Sequence, residues 1–189
     1  MDKEVSIMGE QEKAMHFVCT YDEAEELIDR HRNFWVSNCG CREGKGECRQ
    51  SRKDVCLDFS GTFGGTGSDY HTVSREFVDE LMQEARDKRL VTRPFRDYET
   101  KTTTQGICFC CNDCCGYFVD QNEVCDKGKF IEETDYDCCS DCGLCVDVCY
   151  FKARKINEEG RLEVDREQCY GCGLCNQICP VECIEMIKR

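Results

Sequence analysis

A run of cysteines repeated at a fixed offset constrains this chain more than any other feature. Cys139-x-x-Cys142-x-x-Cys145-x-x-x-Cys149 recurs thirty residues later as Cys169-x-x-Cys172-x-x-Cys175-x-x-x-Cys179, with Pro180 following. Thiols at this spacing wrap a cubane iron–sulfur cluster with three ligands from one tight loop, the fourth being lent by the other copy. The flanks repeat as well. Thr134-Asp135 matches Val164-Asp165, Cys142-Gly143-Leu144-Cys145 matches Cys172-Gly173-Leu174-Cys175, Ala153 matches Cys183, and Ile156 matches Met186. An internal duplication of this kind predicts two βαβ-like halves related by a pseudo-two-fold axis. Gly143 and Gly173 let each loop turn its backbone amides toward the sulfides, where hydrogen bonds tune potential.

At 189 residues the chain allows one domain or two small ones. Its 21 cysteines would suggest a disulfide scaffold in a secreted protein. The charged stretch from Met1 to Ala14 has no apolar signal region, however, and no apolar run is long enough for a bilayer. Vicinal pairs (Cys110-Cys111, Cys114-Cys115, Cys138-Cys139) also fit disulfide geometry poorly. The expected compartment is a reducing cytoplasm, that of an anaerobe, without membrane insertion. The net charge of −13, spread over both parts of the chain, argues against nucleic acid and suits steering toward a basic docking patch on a redox partner protein.

Residues 1–18 read as a poorly ordered lead-in. Thr20-x-x-Glu23 is a capping box, and Ala24, Leu27 and Ile28 follow at helical spacing, which predicts a helix over 21–31. A second helix is predicted over 72–88, with Ser74 as N-cap and a stripe of Phe77, Val78, Leu81, Met82 and Ala85. Leu90-Val91-Thr92 before Pro94 suggests a short strand. This unit faintly resembles a winged helix, but the charge balance and the core-facing stripe argue against DNA. The glycine-dense stretch from Ser60 to Ser68 lacks the Gly-Lys-Ser/Thr of a phosphate loop and reads as a connector.

Two further groups of thiols precede the duplication. Cys39, Cys41, Cys48 and Cys56 lie among Arg42, Lys45, Arg49, Arg52 and Lys53, cations that lower thiol pKa values and help to hold an anionic thiolate–metal centre. Cys108, Cys110, Cys111, Cys114 and Cys115 fall within eight residues. Adjacent cysteines point apart on an extended chain, so both members of a pair rarely bind one ion. The expectation is a site combining members of both groups, either zinc or a third iron–sulfur cluster. Cys114-Cys115-Gly116 resembles the cysteine-cysteine-glycine signature of heterodisulfide-reductase subunits, although the further spaced cysteines of that pattern are not found. Cys19 and Cys125 read as buried small residues.

The span from Lys129 to Arg189 resembles the bacterial dicluster ferredoxins, in its eight ordered cysteines, its Cys-Gly-x-Cys turns and a trailing apolar strand. The resemblance implies two [4Fe–4S] clusters. One would take Cys139, Cys142, Cys145 and Cys179, the other Cys169, Cys172, Cys175 and Cys149. Two positions depart from the family. Tyr150 stands where the family has proline, and Cys183 stands where the first copy has Ala153. Cys183 and Cys138 read as non-ligands. The expected fold class is α+β, with a small, mainly helical, cysteine-rich metal-binding domain over 1–128 and a (βαβ)2 dicluster ferredoxin domain over 129–189.

The function expected from these features is electron transfer, as a carrier or an electron-entry subunit of an anaerobic oxidoreductase. The alternative is a redox- or metal-responsive regulator that binds partners through the N-terminal part. His16, His31 and His71 lie apart, so no acid–base constellation supports a stand-alone enzyme, and no small-molecule substrate is evident.

Overall fold

The structure, a computed structural model, describes residues 13–62, 67–120 and 123–189. Most of the expected lead-in and the centre of the glycine-dense connector lie outside the described residues. The first part of the chain builds a seven-stranded sheet from β1 (His16–Phe17), β2 (Phe34–Ser37), β3 (Cys56–Asp58), β4 (His71–Val73), β5 (Val91–Arg96), β6 (Thr104–Cys110) and β7 (Cys125–Asp126). Their order is β4-β2-β3-β6-β5-β1-β7. Every pairing is antiparallel except β1 with β7. This corrects the expectation of a mainly helical N-terminal domain, whose helices among the described residues are α1 (Tyr21–Asp29), α2 (Gly40–Lys45), α3 (Arg75–Asp87) and α4 (Gly116–Val119).

The two long helices form where their caps and stripes require. Thr20 Oγ1 accepts the Glu23 N–H at 3.2 Å and the Glu23 carboxylate accepts the Thr20 N–H at 3.1 Å, completing the capping box. Ser74 caps α3 by accepting the Phe77 N–H at 3.3 Å. The residues before that cap, 71–73, are strand β4 and not a first helical turn. Tyr21, Ala24 and Ile28 of α1 and Val78, Leu81, Met82 and Ala85 of α3 are buried in one core with Leu57, Leu90, Val91, Ile107 and Phe109 of the sheet region. Tyr21 ties the helices together, its hydroxyl donating to the carbonyls of Ala85 at 2.7 Å and Leu90 at 2.8 Å.

Strand β5 continues through Pro94, past the expected stop. Arg96 N–H donates to Met15 and Thr92 C=O accepts from Cys19, so even-numbered residues of β5 face the β1 side. The N–H that Pro94 lacks is missing there, beside a strand only two residues long.

The last part comprises β8 (Phe130–Thr134), α5 (Leu144–Asp147), β9 (Arg154–Ile156), β10 (Leu162–Val164), a 3-10 turn over Arg166–Gln168, α6 (Leu174–Ile178) and β11 (Ile184–Lys188). Each half runs strand, short helix, strand. β8 pairs antiparallel with β11 and β9 with β10. The duplication extends to the backbone. Left-handed φ values occur at Asp141 and Gly171, at Gly143 and Gly173, and at Lys152 and Glu182, each pair one repeat apart. Asp135 N–H donates to Cys183 C=O and Asp165 N–H to Ala153 C=O, both at 2.8 Å, so equivalent bonds lock the two halves together.

The core is continuous across residue 129. Val148 and Leu174 are buried in the same cluster as the sheet residues, and Tyr150, Phe151, Tyr170 and Cys172 pack against it. Among the described residues no helix is long and apolar enough to cross a membrane.

Candidate metal centres

Two cavities lie in the duplicated part. Cys139, Cys142, Cys145 and Cys179 line the first, together with Leu144, Leu162, Pro180, Val181 and Ile184. Cys149, Cys169, Cys172 and Cys175 line the second, with Val148, Phe151, Ala153, Arg154 and Met186. Each cavity therefore draws three thiols from one loop and one from the other half. Gly171 is needed for this: its φ is 80°, and a methyl group there would lie 2.0 Å from the Phe130 carbonyl oxygen.

The donor chemistry fits iron–sulfur clusters. Burial pushes the Cys145, Cys149 and Cys175 thiols up, Cys175 to about 12, so metal charge is what would hold them as thiolates. Backbone amides face the sulfurs: Asp141 N–H donates to Cys139 Sγ at 3.4 Å. Arg154 is buried between the two cavities. Its guanidinium donates to Cys145 Sγ at 3.4 Å, to Thr134 Oγ1 at 3.0 Å and to the buried Glu132 carboxylate. Its charge also faces Cys175.

Cys183 is closer to this chemistry than an alanine substitute need be. It is buried, lines the first cavity, and its sulfur lies 3.5 Å from Cys179 Sγ. Burial, then the contact with Cys179, pushes its thiol up to about 12. Cys138 is exposed and donates to the Val181 carbonyl at 3.4 Å, outside both cavities.

The nine N-terminal cysteines do not form one site. The extended backbone at the end of β6 sends Cys110 and Cys111 to opposite sides, and the turn that follows does the same for Cys114 and Cys115. Cys111 and Cys114 meet Cys48: Sγ separations are 3.6 Å for Cys48–Cys111 and 3.3 Å for Cys111–Cys114. Cys110 and Cys115 instead lie toward Cys39 and Cys41, near enough for the four thiols to shift one another's ionisation. The neighbouring Cys115 and Cys39 thiols hold Cys41 below the ordinary thiol range. Cys115 likewise brings Cys110 down to about 6 against its burial.

Cys56 and Cys108 face each other across β3 and β6, with sulfurs 3.8 Å apart, and His16 Nε2 lies 3.9 Å from Cys108. Cys19 is buried apart from these sets and Cys125 beside Arg93, their thiols pushed up by burial to about 12 and about 11.

Two buried arginines serve this region, Arg42 from among the cations that flank the first cysteine group and Arg93, which had not been singled out. Arg93 is buried on β5 and donates to Cys115 Sγ at 3.3 Å and Glu123 at 2.8 Å, while lying 4.4 Å over the Tyr117 ring. Arg42 is buried on α2 and donates to the carbonyls of Phe109, at 3.0 Å, and Arg52. The available signal was a cation near each cysteine group; that these would be buried was not visible in one dimension.

An aromatic cluster joins the two parts. Phe151 stacks on Tyr170 with centroids 4.4 Å apart, Tyr117 lies 6.0 Å from both, and Phe118 contacts Tyr150 at 5.7 Å and Phe151 at 5.1 Å. Tyr150, the residue in the position of the family's proline, thus packs between the second cavity and α4.

No curated protein matches the chain. The family model of the 4Fe-4S dicluster domain matches residues 138–183, which contain all eight cysteines of the two cavities. The match, over about a quarter of the chain, supports an iron–sulfur domain of ferredoxin type in that segment.

Proposed function

We propose that the chain transfers electrons through two [4Fe–4S] clusters, as a carrier or as the electron-entry subunit of an anaerobic oxidoreductase. In this reading Cys139, Cys142, Cys145 and Cys179 hold one cluster, and Cys169, Cys172, Cys175 and Cys149 hold the other. The observation that carries it is the pair of four-thiol cavities, each closed by a cysteine from the opposite half. A bound cluster supplies one-electron chemistry at each cavity.

The surroundings of the cavities give the path a direction. Leu144 and Val181, at the first cavity, are 42% and 41% exposed, and Cys142 is exposed. This is the face for docking a redox partner protein. The second cavity is backed by the main core, and its neighbours Phe151 and Tyr170 contact Tyr117. Arg93 covers the other face of that link and donates to Cys115. A third centre, held by Cys39, Cys41, Cys110 and Cys115, would continue the path into the sheet region, which then acts as the module that joins the clusters to the rest of an enzyme.

The test is iron and acid-labile sulfide per chain, followed by reduction with a low-potential donor and reoxidation by an acceptor protein. Two clusters give about eight irons, and a third raises the count to about twelve. Cys149→Ser and Cys179→Ser should each deplete the cluster of the opposite half. Reduction without onward transfer to any acceptor would favour a regulator and refute the carrier reading.

A further inference from the structure

Three thiols stand apart from the rest by their closeness. The ligand sulfurs of Cys48, Cys111 and Cys114 all lie within 4.8 Å of one another. A tetrahedral ion with metal–sulfur bonds of about 2.3 Å holds its sulfurs about 3.8 Å apart. A cubane sets its terminal thiolates much farther apart, because four metals and four sulfides lie between them. Among the described residues no other group of three metal-ligating side chains meets the same limit.

The chain around these thiols is built to hold them. Cys48 lies on the loop after α2, and Cys111 and Cys114 bracket the turn after β6. Three ties join loop and turn: Lys45 Nζ to Asp113 at 2.8 Å, the Arg49 N–H to Asp113 at 3.1 Å, and Gln50 Nε2 to Asn112 at 2.7 Å. Asn112 and Asp113 are the two residues between the paired cysteines.

Charge points the same way. Arg42 is buried and both of its donated bonds end on carbonyls, while its charge faces Cys111, Cys48, Cys39 and Cys114. A buried guanidinium requires anionic neighbours. Three thiolates around a divalent ion carry one net negative charge, which Arg42 balances.

We propose that Cys48, Cys111 and Cys114 bind a single thiophilic divalent ion of the zinc class, separate from any iron–sulfur cluster, with a non-sulfur ligand in the fourth position. This site does not depend on the electron-transfer reading, since its metal is redox-inert and its ligands lie outside both cavities.

The experiment uses the full chain purified without oxygen. Metal analysis should find one equivalent of zinc beside the iron, and Cys48→Ser should lose it with iron and sulfide unchanged, whereas Cys56→Ser should keep it. X-ray absorption at the zinc edge of the unmodified protein should show three sulfurs and one lighter atom, a result that needs no variant to fold. Four sulfurs, zinc absent with Cys111 and Cys114 joined as a disulfide, or iron and sulfide lost together in Cys48→Ser would each overturn the proposal.

Discussion

Arg154 shows how much can depend on one buried charge. It has a buried carboxylate partner in Glu132 and a cavity cysteine on each side. A fixed positive charge stabilises the more negative, reduced state of a nearby cluster. At an effective dielectric of about 20 and a few ångströms, the interaction is worth roughly 3–4 kcal/mol. Arg154→Met should therefore lower the reduction potentials by on the order of 100 mV for a one-electron couple. The double change with Glu132→Leu should recover much of that, because it removes both charges. An electrochemical titration in which the single variant leaves both potentials unmoved would rule out this role. The two loop glycines differ in a comparable way. At Gly143 a methyl would meet only Ile156, at 3.8 Å, whereas at Gly171 it would strike the Phe130 carbonyl. Gly143→Ala should cost about 1–2 kcal/mol for its left-handed φ alone and keep both clusters. Gly171→Ala should lose the second cluster, as counted by iron content.

At the scale of elements, the aromatic cluster decides whether the chain unfolds in one step or two. Phe151 stacks on Tyr170 and meets Phe118 of α4 edge-on. Phe151→Ala should cost roughly 2–4 kcal/mol. Trp35, the only tryptophan, lies on β2 in the sheet and reports on the other part of the chain. Its fluorescence transition in urea should fall together with the loss of cluster absorbance; a tryptophan transition left in place would show two independent units. The elements were unevenly legible in the sequence. α1 and α3 could be read because cap and stripe are local signals, and the eight cavity cysteines because their spacing is itself the site. The sheet could not be read. Its strands are two to seven residues long, and cysteines take inward positions where a pattern reader looks for valine or isoleucine. Its pairings are also distant, as in Cys56 opposite Cys108. The sorting of the nine N-terminal thiols depended on those same pairings, so it was hidden for the same reason.

For the whole molecule, the duplicated part has few large apolar side chains: its own core consists of Cys145, Leu162, Cys175, Cys183 and Ile184. A module of this size rarely gains more than ~3–5 kcal/mol from its core. With four thiols of the two cavities and Cys183 held close together in that core, metal must supply much of the stability. Removal of iron by chelation under reducing conditions should abolish the native C-terminal fold. A cooperative thermal transition of the iron-free chain in circular dichroism, equal to that of the loaded protein, would contradict this. The segment from Cys110 to Cys115 carries the same logic further. Because strand geometry sends neighbouring cysteines to opposite sides, one short stretch of backbone belongs to both N-terminal thiol sets at once. A shift of that backbone is therefore felt on both sides: a residue inserted between Cys110 and Cys111 should lower zinc and iron together in metal analysis, whereas Cys48→Ser lowers zinc alone.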